Sequence, residues 1–189
     1  MIMLEFPRDL RPYQDIAIKA CLEYFLNDDE ERGTLSMCPR SGKTLVVQQV
    51  IGHMSLDQNS NSILSNNFYI YFVPTRELVS QTALDIHKYF KTSRFGADKN
   101  IYNPEIVAVS SKSDIKIENT SKKIKCFQGN IAKQLKEWHN DNKENIKIVV
   151  CTYDSADKLI NCIKTNNMYV TCAFYDEAHY LTYSSSRKS

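Results

Sequence analysis

The amino-acid sequence predicts an α/β fold in which a mostly parallel β-sheet is covered by helices on both faces. Short apolar or β-branched runs alternate along the chain with segments of helical period, and that alternation is typical of consecutive βαβ units. The runs are almost continuously apolar, as in "FYIYFV" at 68–73, which is expected when both faces of a parallel sheet are buried. Because 189 residues suffice for one sizeable core, we expect a single domain over 1–189.

The predicted strands share a high content of apolar and β-branched residues. They cover 34–37, 67–73, 105–110, 147–151 and 168–175. The polar, aperiodic stretches 55–66 and 111–127 are predicted to be surface loops. In the second stretch, the lysines of "SKKIKCF" are interpreted as a solvated run of like charge.

Apolar residues at helical spacing predict the covering helices. They cover 12–26, 76–91, 130–139 and 156–164, and the amphipathic segment "LVVQQVIGHM" is expected to form a further helix after "SGKT". The residues assigned to the buried face of the first helix are Tyr13, Ile16, Ala17, Ala20 and Tyr24. Asn130 and Ser155 precede the last two helices and are predicted to be their N-caps. Trp138 shares a face with Ile131 and Leu135, so it is interpreted as a core anchor rather than a base-stacking platform.

Composition excludes several classes of protein. The net charge of +2 permits a nucleic-acid partner without demanding one. The six cysteines show no C-x-x-C pairing, which favours reduced, buried cysteines of an intracellular protein. Charge at Glu5 and the proline at Pro7 argue against a signal peptide. The apolar run "FYIYFV" is far too short to span a bilayer, so we expect a protein that is neither secreted nor in a membrane.

The stretch "MCPRSGKT" at 37–44 has the parts of a phosphate-binding loop. In such a loop, backbone N–H groups at a helix N-terminus point at the phosphates, a lysine adds charge and a hydroxyl binds Mg²⁺. Gly42 would let the backbone approach, Lys43 would reach the outer phosphates and Thr44 would hold the metal. A lone G-K-T is common in loops, but this one follows the run "TLSM" and opens a helix, which is the context that the motif requires.

A second candidate site lies where the run "VTCAFY" ends in "DEAH" at 176–179. Carboxylates at the C-terminal end of a parallel strand lie where α/β folds place ligand chemistry. We therefore expect Asp176 to bind the Mg²⁺ and Glu177 to polarise the attacking water. An acidic turn that only ends a strand is the alternative interpretation, and the "SGKT" segment upstream argues against it.

Together these residues resemble the first RecA-like domain of the superfamily 2 helicases and translocases, which carries a P-loop and a DEAD or DEAH box in this order. Three further segments are similar to motifs of that family: "LRPYQ" at 10–14, "VPTRELVSQ" at 73–81 and "VCTYDS" at 150–155. The last resembles the "TYxS" form found in restriction-type and predicted viral or phage helicases. The resemblance covers nearly the whole chain and implies a RecA-like P-loop domain.

The resemblance also implies a role for each motif. ATP would be bound by Gln14, Pro39, Arg40, Ser41, Gly42, Lys43 and Thr44, with Gln14 reading the adenine edge. Mg²⁺ would be bound by Thr44 and Asp176, and hydrolysis would depend on Lys43, Asp176 and Glu177. Nucleic acid, with DNA slightly favoured over RNA, would lie against Pro74, Thr75, Arg76, Thr152 and Tyr153. His179 would couple this lobe to a second one.

Each added motif has a plainer interpretation. Gln14 could be a polar residue on an exposed helix face. Thr75 could serve only as an N-cap, with Glu77 in the first turn of its helix, and His179 could be only a polar residue at a strand end. Arg40 departs from the family pattern, which has a glycine there. If its φ is positive, we expect backbone strain and weaker nucleotide binding.

The family pattern continues beyond "DEAH" with a further strand and a second RecA-like lobe, and neither is recognisable in these 189 residues. By the resemblance, the further strand lies between the P-loop strand and the "DEAH" strand. The domain is therefore expected to be C-terminally incomplete, and a single lobe has no partner to close against. Two functions follow: an ATP-dependent helicase or translocase lobe that needs its complement for activity, and a non-catalytic nucleotide- or nucleic-acid-binding fragment of a split or decayed helicase gene.

Overall fold

The computed structural model of the chain describes residues 10–27, 33–56, 67–92, 104–110, 113–118, 120–141 and 145–178. Five helices lie in these ranges: α1 (Pro12–Asn27), α2 (Lys43–Leu56), α3 (Arg76–Thr92), α4 (Ile131–Asn140) and α5 (Tyr153–Thr165). The strands of the same ranges are β1 (Phe68–Val73), β2 (Glu105–Val109), β3 (Ile115–Lys116), β4 (Lys123–Phe127), β5 (Lys147–Thr152) and β6 (Cys172–Tyr175). The predicted α/β class is confirmed.

The described strands form one sheet in the order β3-β4-β2-β5-β1-β6. All pairs are parallel except β3 with β4, which is antiparallel. The sheet separates two hydrophobic layers, and β1 contributes alternate residues to each of them. Tyr69 and Tyr71 pack with α1, α2 and α3, whereas Phe68, Ile70 and Phe72 pack with α4 and α5. The continuous apolar run of β1 is thus explained by burial on both faces.

The segment 34–37 is not a strand, contrary to the sequence prediction. The chain has no regular secondary structure from 33 to 38, and Leu35 is exposed. A strand persists only where a neighbour takes its backbone hydrogen bonds, and 34–37 has none among the described strands. Among the described strands, β6 pairs with β1 alone. The other edge of β6 is where the resemblance places the further strand.

The predicted loop over 111–127 is also wrong, since β3 and β4 lie within it. In β4 the exposed Lys123 and Lys125 alternate with the buried Ile124 and the half-buried Cys126. This is the period of a strand with one face solvated. Lysines are common on strands near a sheet edge because they discourage pairing with other chains. The predicted loop at 55–66 begins two residues too early, since Ser55 and Leu56 belong to α2, and its remainder lies outside the described residues.

Helix α1 is confirmed, but it is rotated relative to the predicted buried face. Gln14, Ala17 and Ile18 are buried, whereas Tyr13 and Ile16 are exposed, as is Ala20. Helix α2 is not amphipathic as predicted, because its residues are buried in one cluster with β1 and with helices α1 and α3. Its buried residues are Val46, Gln48, Gln49, Val50, Ile51, Gly52, Met54 and Ser55.

The predicted caps have opposite outcomes. Asn130 is the N-cap of α4, and its side chain accepts a hydrogen bond from the backbone N–H of Lys133 at 3.2 Å. Ser155 is not a cap, because α5 begins two residues earlier and Thr152 is its N-cap. The hydroxyl of Ser155 instead accepts a hydrogen bond from Thr152 Oγ1 at 3.1 Å.

Two further predictions concern burial. Trp138 packs edge-on against Phe68 and Phe127, with ring centroids 6.1 and 6.2 Å away, which confirms it as a core residue. All six cysteines are free thiols, as predicted, but only Cys151 and Cys172 are buried, and Cys38 is exposed. In the described part of the chain, no helix has the length and apolar character needed to cross a bilayer.

Candidate functional site

The loop before α2 makes a tight turn at Pro39 and Arg40. The backbone N–H of Ser41 donates to the carbonyl of Cys38 at 3.2 Å, and α2 begins at Lys43. The loop therefore reaches the N-terminus of a 14-residue helix, where backbone N–H groups and the helix dipole favour a bound anion.

Arg40 adopts the left-handed backbone region, with φ of 60°. Residues with a Cβ adopt this region at a cost of roughly 1–2 kcal/mol. The sequence predicts strain at Arg40 if its φ is positive, and its φ is positive. The backbone is therefore strained next to the candidate phosphate site.

Gln14 binds the loop from α1. Its Nε2 donates to the carbonyl of Ser41 at 2.8 Å, and its Oε1 accepts from the backbone N–H of Arg11 at 3.0 Å. Only 5% of Gln14 is exposed, so the interpretation of Gln14 as a residue on an exposed face is wrong. Tyr13 Oη donates to the same carbonyl at 3.1 Å, and two side chains of α1 therefore fix the position of Ser41.

Gly42 is required at its position for two reasons. Its φ of 87° lies in the left-handed region, and a Cβ built there would come within 2.5 Å of Gln14 Nε2. The close approach between α1 and the loop therefore depends on the absence of a side chain at Gly42.

The acidic turn lies opposite the loop. The backbone N–H of Asp176 donates to the carbonyl of Phe72 at 2.9 Å, which continues the β1–β6 ladder. Glu177 then turns the chain with φ of 54°. Lys43 Nζ lies 3.4 Å from Glu177 Oε1, so the fold joins two motifs that are 134 positions apart in sequence.

The electrostatics of the turn favour a cation. Burial raises the pKa of the Asp176 carboxyl, and the charge of Glu177 raises it further, while Lys43 acts in the opposite direction. The ionised form of Asp176 is therefore disfavoured without a ligand. A divalent cation would relieve this repulsion.

Thr44 lies on the first turn of α2, close enough to Tyr71 of β1 for its side chain to lower the pKa of the Tyr71 hydroxyl. Tyr71 also lies close enough to Asp176 for the carboxylate charge to raise its pKa. Thr44 and Asp176 thus share one neighbour, which places both candidate Mg²⁺ ligands at the carboxyl end of β1.

The residues present fit a magnesium nucleotide. Among the described residues, the buried hydroxyl of Ser41 has no hydrogen-bond partner, and a phosphate oxygen would supply one. The described residues also contain no cluster of three or more His, Cys, Asp or Glu that could bind a metal alone. The pair of Thr44 and Asp176 suits Mg²⁺, which proteins usually bind through one or two carboxylates together with phosphate oxygens.

The candidate nucleic-acid residues lie at the ends of β1 and β5. Thr75 caps α3, because its Oγ1 accepts from the backbone N–H of Leu78 at 3.3 Å. Thr75 and Arg76 are exposed, and Pro74 is half-buried. Thr152 is only 3% exposed. A role for these residues in nucleic-acid binding stays a prediction, and His179 lies outside the described residues.

Tyr153 contacts the acidic turn, which the sequence did not predict. Its hydroxyl donates to the backbone carbonyl of Asp176, and its ring is stacked near Phe72 and Tyr175. The structure therefore brings the "TYDS" segment to the acidic turn.

Comparison with known proteins gives the family. The model of the type III restriction enzyme res subunit family (ResIII) matches residues 8–189. The chain belongs to this family. It is thus an N-terminal lobe of the superfamily 2 helicase type, and nucleotide binding, hydrolysis and helicase-like architecture are properties of the family.

A solved structure shows the same fold. It is a nuclease-deletion mutant of the Type ISP restriction-modification enzyme LlaGI in complex with a DNA substrate mimic. The similarity has a TM-score of 0.65 and 24% sequence identity, and it covers 91% of this chain and 15% of that one. The chain therefore corresponds to a small part of the LlaGI polypeptide and shares its RecA-like fold there. No curated protein matches the chain.

Sequence reasoning missed two residues of the site, Tyr71 and the inward-facing hydroxyl of Tyr153. Tyr71 stands in a continuous apolar run, where its hydroxyl gives no sign of a polar partner. The contact of Tyr153 could have been predicted. Tyr153 directly follows β5, and the carboxyl ends of parallel strands meet at the edge of the sheet where "DEAH" lies.

Proposed function

We propose that this chain is the ATP-binding lobe of an ATP-dependent nucleic-acid helicase or translocase. The observation that carries the proposal is the approach of Lys43 Nζ to Glu177 Oε1 at 3.4 Å. This contact brings the helix N-terminus, the lysine and two carboxylates to one place, which is the set of groups that phosphoryl transfer requires.

The residues of the chain divide the work as follows. Backbone N–H groups of Gly42 and Lys43 would bind phosphate oxygens, while the Lys43 ammonium would exchange its contact with Glu177 for the outer phosphates. That exchange frees the Glu177 carboxylate to orient the attacking water. Mg²⁺, held by Thr44 and Asp176, would neutralise phosphate charge.

Gln14 adds selectivity to the proposed site. It is already held by Arg11 and Ser41, so its amide is oriented before any ligand binds. We infer that Gln14 recognises the adenine edge. Its Nε2 binds the Ser41 carbonyl and lies close to Gly42, so a bound adenine would be coupled to the position of the loop.

Nucleic acid is the proposed partner of the exposed residues that follow β1. The exposed Arg76 at the start of α3 supplies a cation beside the carboxyl end of β1. DNA is favoured over RNA because the similar LlaGI structure contains a DNA substrate mimic. A second RecA-like lobe is the other proposed partner, since closure between lobes couples hydrolysis to movement.

Thermal unfolding of wild type and Lys43→Ala with Mg-ADP tests nucleotide binding. At a ligand concentration of 100 times Kd, binding to the native state alone stabilises it by about 2.7 kcal/mol, which corresponds to a rise in Tm of roughly 5–10 °C for a chain of this size. We expect this rise in wild type and its absence in Lys43→Ala. Lys19→Ala, which removes an exposed lysine of α1, should keep it. An equal rise in Lys43→Ala would refute the proposed role of the loop.

The second candidate function is nucleotide binding without turnover. The left-handed Arg40 favours it, because strain in the loop opposes the geometry that hydrolysis needs. The two candidate functions are distinguished by measuring the release of phosphate from Mg-ATP in the presence of single- and double-stranded DNA. Release that disappears in Glu177→Gln supports the helicase lobe, whereas nucleotide binding without release supports the second candidate.

A further inference from the structure

Tyr153 opens α5 and yet faces the acidic turn rather than solvent. Its hydroxyl donates to the backbone carbonyl of Asp176, 23 positions away in sequence. Its ring lies nearly parallel to those of Phe72 and Tyr175, with both centroids at 6.4 Å and interplanar angles of 16° and 12°. The stack fixes the ring, and the ring fixes the direction of the hydroxyl.

The two backbone polar groups of Asp176 are therefore held by different elements. Its N–H donates to the carbonyl of Phe72 in β1 at 2.9 Å, and its carbonyl accepts from Tyr153 at the start of α5. The peptide plane that follows Asp176 cannot rotate without breaking the second contact. The direction of the Glu177 side chain depends on that plane.

The next residue shows why the plane needs support. Glu177 has φ of 54°, a conformation that residues with a Cβ rarely adopt. Such a conformation persists only where the surroundings enforce it. The Tyr153 hydroxyl supplies such support, because it donates to the carbonyl of the peptide group that precedes Glu177.

We propose that Tyr153 is a positioning residue for the Asp176–Glu177 turn and acts through the Asp176 carbonyl, rather than by direct contact with nucleic acid. This inference rests on the proposed function of the turn in binding Mg²⁺ and orienting water. It assigns the "TYDS" segment to the nucleotide site as well as to the nucleic-acid track. A shift of the α5 N-terminus would then be transmitted to the two carboxylates.

The test is a titration with Mg²⁺ at saturating ADP, monitored by Tm, in wild type, Tyr153→Phe and Tyr175→Phe. Tyr153→Phe removes the hydroxyl and keeps the ring. We expect the Mg²⁺ concentration at half-maximal shift to rise about fivefold or more, which corresponds to the loss of one hydrogen bond. The shift given by ADP without metal should stay at its wild-type value. Tyr175→Phe, in the same stack, removes a hydroxyl that has no hydrogen bond among the described residues, so its midpoint should equal that of wild type.

A second substitution separates the hydroxyl from the packing of the ring. Tyr153→4-aminophenylalanine restores a donor at the same place and should bring the midpoint back towards wild type. A midpoint that stays at the Tyr153→Phe value would assign the effect to packing and overturn the inference, as would a wild-type midpoint in Tyr153→Phe itself. If wild type shows no Mg²⁺-dependent shift, the proposed function fails instead, and the two failures are thus distinguishable.

Discussion

At the scale of single residues, Arg40 is where the sequence and its backbone disagree. Its φ of 60° suits glycine, so Arg40→Gly should relieve roughly 1–2 kcal/mol of strain. The greater freedom of glycine in the unfolded chain offsets part of that gain. We expect a net rise of about 0.5–1 kcal/mol in the free energy of unfolding, measured by urea denaturation, and nucleotide binding at least as tight as in wild type.

Arg40→Ala is the matched control for this prediction. Alanine removes the charge and the long side chain but keeps the Cβ, so the strain remains and the stability should stay close to that of wild type. If Arg40→Ala and Arg40→Gly raised the free energy of unfolding equally, the guanidinium and not the backbone would be the source of the effect.

Much of the candidate site was predictable from residue types, and the rest depended on three-dimensional neighbours. The approach of Lys43 to Glu177 follows from strand ends that meet at one edge of the sheet. The contact of Gln14 with Ser41 does not follow, because the rotation of α1 is set by its packing on α2 and not by its own apolar pattern. The positive φ of Arg40 was also beyond prediction, since a turn takes its handedness from the positions of both of its ends.

At the scale of elements, Lys147 stabilises the C-terminus of α4 from inside the fold. Only 3% of Lys147 is exposed, and its Nζ donates to the carbonyls of Trp138 at 2.7 Å, of His139 at 2.8 Å and of Asp141. Helix C-termini carry unsatisfied carbonyls and negative partial charge, so a buried ammonium suits this place. Lys147→Met keeps the apolar stem but leaves these carbonyls without their donor. We expect a loss of about 3 kcal/mol in stability by urea denaturation.

Lys133→Met provides the comparison on α4 itself. Lys133 is exposed and pairs with Glu137 at 3.9 Å, so its replacement should change stability by no more than about 0.5 kcal/mol. Similar losses in the two variants would show that the burial of Lys147 does not matter.

Strands buried on both faces were predicted well, and β4, which has one solvated face, was not. β1 and β5 are buried on both faces and read as continuous apolar runs. β4 alternates lysine with apolar residues and resembles a loop by composition alone. The segment 34–37 was instead predicted as a strand and is not one. Its apolar residues suggest a strand, but no described strand pairs with it.

At the scale of the whole molecule, the modest net charge of +2 limits how nucleic acid can be bound. The charge provides little non-specific attraction, so a few placed contacts must supply the affinity. Arg76 is the candidate cation among them, exposed at the first turn of α3. We therefore expect a shallow dependence of DNA affinity on salt, with log K falling by about 2 to 3 per decade of salt.

Arg76→Ala should reduce that slope by about one, because each phosphate contact contributes about 0.9 to it. Lys19→Ala removes an equal charge from α1, where Lys19 is exposed and paired with Asp15 at 2.7 Å, and should leave the slope unchanged. Fluorescence anisotropy with a labelled oligonucleotide between 50 and 200 mM salt, a range of about a factor of four, measures both slopes. If Arg76 contacts a phosphate directly, the salt dependence of DNA affinity differs between the two variants although their net charges are identical. Equal slopes in the two variants would mean that affinity depends on total charge, and Arg76 would lose its assignment.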